Sequence, residues 1–152
     1  MPLNAFSALG LTEPLLRALE KERFAEPTPI QASAVPHLLA GRDLLGIAQT
    51  GTGKTAAFAL PMLQHLISAP DRAAHFATRA LILAPTRELA LQIEDSLRRF
   101  ANQQTLHIVA ILGGVGRFMQ VQRMRGGADI TCRAITTAFD SSTNGGRPVS
   151  NS

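Results

Sequence analysis

The stretch that most restricts the fold of this chain is Ala48-Gln49-Thr50-Gly51-Thr52-Gly53-Lys54-Thr55. Small residues let successive backbone N–H groups turn inward, and such a loop works when a strand feeds it and a helix leaves it with its positive end facing the same point. Both flanks are legible. Residues 43–47 form a short apolar run, read as a strand, and residues 54–67 have helical spacing. The natural occupant is a phosphate chain. Thr50, Gly51, Thr52 and Gly53 would cradle it through their backbone, Lys54 would neutralise its terminal phosphates, and Thr55 would offer its hydroxyl to Mg²⁺. The first position of the common pattern is glycine, and here it is Ala48.

The remaining periodicities alternate strand and helix. Residues 11–23 predict a helix with Thr12 as N-cap, Pro14 in its first turn, and Leu15, Leu16 and Leu19 on one face. A second helix starts at Thr28-Pro29 and runs to Gly41 through Pro36. Residues 81–84 suit a strand buried on both faces. They lead through Pro85-Thr86 into an amphipathic helix with Leu89, Ala90, Ile93, Leu97 and Phe100 inside and Arg98 and Arg99 outside. Residues 107–112 predict a third strand closed by Gly113-Gly114, and residues 117–125 a further helix. Such alternation implies an α/β fold, a parallel sheet flanked by helices. From Cys132 to Ser152, twelve of 21 residues are Thr, Ser, Asn, Gly or Pro, so this part reads as a disordered or weakly ordered tail.

Charge is distributed unevenly. Residues 1–71 carry five basic and six acidic side chains, residues 72–152 ten and five, and only Lys21 and Lys54 among the cations are lysines. Arginine suits bidentate phosphate contacts, so the basic half points to an anionic partner without identifying it. No run of eighteen uncharged apolar residues would make a membrane span, and the N-terminus lacks an export signal. The single cysteine, Cys132, cannot pair internally, and His37, His65, His75 and His107 match no metal or triad spacing. The expected setting is the cytoplasm, with no membrane.

The string AQTGTGKT is the form this loop takes in DEAD-box RNA helicases, and the chain resembles that family from about Phe6 to Thr131. Residues 24–31, Phe-Ala-Glu-Pro-Thr-Pro-Ile-Gln, are similar to its Q motif, with Phe6 at the place of the isolated upstream aromatic. Pro85-Thr86-Arg87-Glu88-Leu89-Ala90 and Gly113-Gly114 match the next two motifs in order. The resemblance implies an incomplete RecA-like P-loop fold. Residues 1–41 would be a helical Q-motif region, 42–131 part of the ATP-binding domain, and 132–152 a non-family tail. It also implies that Gln31 reads adenine, since a carboxamide matches the N6/N7 edge, that Phe24 stacks on the base, and that Thr28 supports the loop. ATP and Mg²⁺ would be the cofactors, and Thr86, Arg87, Gly113 and Gly114 would hold an RNA backbone without reading its sequence. Arg23 stands where the family usually has glycine.

Beyond Ile130 the family pattern of Thr-Pro-Gly-Arg and Asp-Glu-Ala-Asp is missing, and Thr131-Cys132-Arg133-Ala134 stands instead. The resemblance therefore implies the ATP- and RNA-binding portion of a helicase, unable alone to hydrolyse ATP because the acidic pair and the arginine fingers of a second domain are absent. A frameshift near codon 131 would account for the change, and the product is expected to be marginally stable and prone to aggregate. A non-catalytic remnant and an unrelated P-loop kinase or GTPase are the other two readings, the last disfavoured by Gln31.

Overall fold

The structure, a computed structural model, describes residues 5–69, 71–102, 104–114 and 116–135. Its first helices begin where threonine precedes a proline in the opening turn. After a 3₁₀ turn at Ala5–Leu9, Thr12 caps α1 (Glu13–Lys21) and Thr28 caps α2 (Pro29–Leu39), both threonines being extended in backbone. α1 buries Leu15, Ala18 and Leu19. It ends at Arg23, whose φ of 60° turns the chain back so that the Phe24 N–H reaches the Leu19 carbonyl at 2.9 Å.

α3 (Lys54–Ser68) leaves the Gly-rich loop as the spacing predicts, burying Ala56, Ala59, Leu60 and Leu63. The run ahead of that loop departs from expectation. Residues 43–47 are irregular rather than a strand, with Leu45 and Ile47 each 89% exposed. An apolar run becomes a strand only against a second strand that takes its N–H and C=O groups, and no described strand pairs with these residues.

Among the described residues the sheet has three parallel strands, β1 (Thr78–Ala84), β2 (Ile108–Ile111) and β3 (Ala128–Ala134), in the order β1-β3-β2. Ala80, Ile130 and Ile108 lie side by side, as do Leu81, Thr131 and Val109. One face of this sheet packs on α3 and on α4 (Arg87–Ala101), giving a core built around Phe6, Leu15, Leu19, Leu60, Leu63, Leu97 and Ile130. Each fully buried aliphatic chain there contributes roughly 1.5–3 kcal/mol. Among the described residues the other face is only partly covered, by α5 (Arg117–Met124). That helix is tied to the end of β2 by the Gln120 carboxamide, which both accepts from and donates to the Leu112 backbone at 2.9 Å.

Two more expectations need correction. The stretch 81–84 is not buried on both faces: Leu81 and Leu83 are 56% and 54% exposed, because among the described residues β1 is an edge strand whose second face no helix covers. A cavity of about 610 Å³ lies along it, between Phe58, Pro61 and Met62 of α3 and residues 79–83. The tail boundary also moves. β3 continues through Cys132 to Ala134, both buried, because pairing with β1 extends to Ala84 opposite Ala134. Residues 136–152 of the expected tail lie outside the described residues.

At the start of the strands, Arg79 donates to Asp129 at 2.9 Å and to the carbonyls of Leu66 and Ala69 at 3.2 and 3.3 Å. Asp129 also accepts from the His107 backbone N–H at 2.8 Å. Since Arg79 near the beginning of β1 meets the end of α3, α3 runs antiparallel to β1. Its N-terminus, with the Gly-rich loop, therefore lies toward the carboxyl edge of the sheet.

Candidate nucleotide and nucleic-acid site

Toward that edge lie most of the ligand residues expected from the sequence, in two groups. The first is built on α2 and the Gly-rich loop. Gly51 and Gly53 have φ of 79° and 85°, a left-handed backbone that side chains resist, and Gly53 is the N-cap of α3. A Cβ on Gly53 would run into the Gln31 carboxamide. This is because Gln31, 1% exposed, donates from Nε2 to the Gly53 carbonyl at 3.1 Å while its Oε1 accepts from the Thr28 backbone N–H at 3.0 Å. The Thr28 hydroxyl donates to the Thr52 carbonyl at 2.8 Å, and the Thr52 hydroxyl to the Gln49 carbonyl at 2.9 Å. The first turn of α2 is thus stitched to the loop by two side-chain bonds.

Lys54 folds back so that its ammonium donates to the Ala48 carbonyl. It stands at the head of α3, where the unpaired N–H groups and the positive end of the helix dipole favour an anion. Thr55 follows, half-buried in the same turn. The donor set therefore fits a polyphosphate. For a divalent cation it supplies a single hydroxyl, and no cluster of three His, Cys, Asp or Glu side chains exists among the described residues. Mg²⁺ at this point would be held mostly by phosphate oxygens and water, as that ion prefers. Beside the loop is a cavity of about 460 Å³ lined by Thr28, Pro29, Ile30, Ser33, Ile47, Ala48 and Thr52. Ile30, Ser33 and Ile47 escape sequence reasoning; the signal is the short i, i+3 spacing of Ile30 and Ser33 on α2, which carries no chemistry until the loop is seen beside it.

Phe24 sits differently from what base stacking alone suggests. It is half-buried in an edge-to-face trio with Phe6 and Phe100, at centroid distances of 6.3 and 5.5 Å, and belongs to the rim of the core.

The second group occupies the ends of β1 and β2. Thr86 caps α4, its hydroxyl accepting from the Leu89 N–H at 3.2 Å, and Arg87 opens that helix exposed to solvent. Gly114 has a φ of 73°, and a Cβ built on it would come within 3.4 Å of Arg87 Nη1. The fold therefore places the Arg87 guanidinium against the glycine pair although 26 residues separate Arg87 from Gly113. Arg87 forms no ion pair among the described residues, which leaves its charge available to a ligand.

The sequence profile of DEAD/DEAH box helicases matches residues 28–147. The chain belongs to this family. The match runs past Thr131, beyond the motifs quoted above. Among curated relatives, the chain is similar to "Probable ATP-dependent RNA helicase DDX46" of Danio rerio, 41% identical over 129 residues covering 85% of this chain and 13% of that protein. It is also similar to "ATP-dependent RNA helicase SrmB" of Escherichia coli K12, 52% identical over 115 residues covering 76% of this chain and 26% of that one. Thus the chain spans only about an eighth to a quarter of the length of these relatives. Among solved structures it resembles the RNA helicase Prp28 from Chaetomium thermophilum bound to ADP, with a TM-score of 0.78 and 43% identity, over 88% of this chain and 32% of that one. A DEAD box protein from Methanococcus jannaschii superposes with a TM-score of 0.76 at 31% identity, over 86% and 34%. These helicase neighbours bear out the RecA-like α/β class and the parallel sheet.

Proposed function

We propose that this chain is the ATP- and RNA-binding portion of a DEAD-box RNA helicase. ATP would rest on the loop of Thr50, Gly51, Thr52, Gly53, Lys54 and Thr55, with Gln31 and Phe24 toward the base. RNA backbone would rest on Thr86, Arg87, Gly113 and Gly114. The observation that carries the reading is the bond from Gln31 to the Gly53 carbonyl, together with Thr28 to Thr52, since a base-reading carboxamide and a phosphate-holding loop then form one unit. Gln31 still has one N–H and one lone pair beyond the bonds it makes, the donor and acceptor an adenine edge requires. Lys54 would leave the Ala48 carbonyl for the phosphates, a stronger, charge-assisted partner. A bound Mg²⁺ would offset phosphate charge, with Thr55 as its protein ligand.

RNA contact through Arg87 and backbone N–H groups gives affinity without sequence preference. Hydrolysis by these 152 residues alone is not expected, since they contain no Asp-Glu-Ala-Asp string to hold the metal and position water. No helix among the described residues is long and apolar enough to cross a membrane. We place the protein in the cytoplasm, in keeping with its single, buried cysteine.

Binding of fluorescent ATP and GTP analogues to the purified chain tests this. ATP should bind at least about tenfold more tightly than GTP, a margin of roughly 1.4 kcal/mol. Lys54→Ala should weaken ATP by a similar factor or more. Equal affinity for the two purines, or ATP binding indifferent to Lys54→Ala, would overturn the proposal.

A further inference from the structure

α5 buries no residue, yet it carries three large apolar side chains in its first five positions: Phe118 is 72% exposed, and Met119 and Val121 are exposed as well. Single apolar residues on a surface are ordinary, whereas three together on one short helix call for a ligand. The helix is held down through Gln120, bonded to Leu112, and Met124, whose sulfur lies 3.7 Å from the Thr131 hydroxyl. At 100° per residue, Phe118, Gln122 and Arg125 fall on the opposite side, turned to solvent.

The charge around this face has one sign. Arg117, Arg123 and Arg125 are exposed, no acidic residue occurs between Gly116 and Ala128, and these arginines form no ion pair with a described residue. Elsewhere Arg17, Arg79, Arg98 and Arg99 are all paired with carboxylates. The helix follows directly on the glycine pair that faces Arg87. An exposed aromatic among unpaired arginines suits a flexible polyanion that also carries flat rings, which is single-stranded nucleic acid; an acidic protein surface would use the cations but leave the ring without a flat partner.

We propose that the outer face of α5 is a base-stacking platform for single-stranded RNA, with Phe118 as the ring on which a base rests, Arg125 on the same side and the exposed Arg117 and Arg123 on its flanks attracting the neighbouring phosphates. The proposal rests on the RNA reading given above and adds a contact to bases where that reading has only backbone. Stacking tolerates every base, so it raises affinity without imposing a sequence.

The chain contains no Trp and no Tyr, so Phe118→Trp introduces its sole strong fluorophore. In the full chain, oligoadenylate should quench this indole, whereas an abasic ribose-phosphate chain of equal length and charge should not. By anisotropy, Phe118→Ala should weaken oligoadenylate binding about tenfold and leave the abasic chain unaffected, while Arg87→Ala should weaken both. Because Phe118 is exposed, both variants should melt with the parent. If the parent binds RNA but Phe118→Ala binds it equally well, or if the indole responds alike to both chains, the platform is wrong and the RNA reading stands. If the parent binds neither chain, both fall. Capture of an acidic peptide that is lost in Phe118→Ala while RNA binding persists would assign the face to protein and overturn the proposal.

Discussion

Arg23 holds a left-handed turn at the end of α1 with a side chain that resists it. That conformation costs a non-glycine residue on the order of 1–2 kcal/mol, so Arg23→Gly should stabilise the chain by about 1 kcal/mol after the added freedom of the unfolded state is counted. A urea midpoint that rises with unchanged slope would check it, and a lowered midpoint would contradict it. The departure from the family's glycine was readable in the sequence; that the turn keeps its glycine geometry was not. Cys132 offers a second measurement. Burial in β3 pushes its thiol up to about 11, the Glu94 carboxylate adds to the rise, and Arg98 opposes it. The unfolded thiol ionises near 9, so the native chain holds its proton longer. Stability from this group is complete below pH 9 and is lost as pH climbs to 11, by at most about 3 kcal/mol. At pH 8 iodoacetamide should label the denatured chain readily and the native chain hardly at all. Rapid native labelling would mean the strand opens.

Among the elements, the helices are the most legible, because a cap, an early proline and a spacing of 3.6 are local properties that survive whatever surrounds them. α1, α2, α3, α4 and α5 begin within a residue or two of their predicted starts. Strands depend on partners that a linear pattern does not contain. Residues 81–84 and 43–47 are both apolar runs, yet only the former finds a neighbour, β3. What joins these elements is also invisible beforehand: Arg79 and Asp129, 50 residues apart, bind the end of α3, β1 and the entry to β2 into one cluster. Both side chains are largely shielded from water, so Asp129→Ala leaves a guanidinium uncompensated and should cost about 3 kcal/mol. Asp129→Asn, which can still accept from the His107 N–H, should cost less. Thermal melts of the two variants check the order, and equal losses would show that charge pairing contributes nothing there.

At the largest scale the consequence is a sheet that is open among the described residues. β1 exposes Leu81 and Leu83 on its uncovered face, beside an apolar groove, while Leu45 and Ile47 stand in solvent. An unpaired edge with apolar side chains invites association, so Leu81→Lys with Leu83→Lys should lower light scattering at a given concentration without reducing helical circular dichroism. Unchanged scattering would place the sticky surface elsewhere. The amino-acid sequence by itself determined the Gly-rich loop at the head of α3, the caps, the amphipathic helices and the α/β order, since each follows from neighbours along the chain. It also named Thr86, Arg87, Gly113 and Gly114 as ligand residues, but as two separate turns. Only the tertiary structure decided that Arg87 meets Gly114, that Gln31 bonds the Gly53 carbonyl, and that β1 is an edge. Contacts between distant segments arise when parallel strands align their carboxyl ends and antiparallel helices return the chain, and that alignment depends on packing over the whole core rather than on any local run of residues.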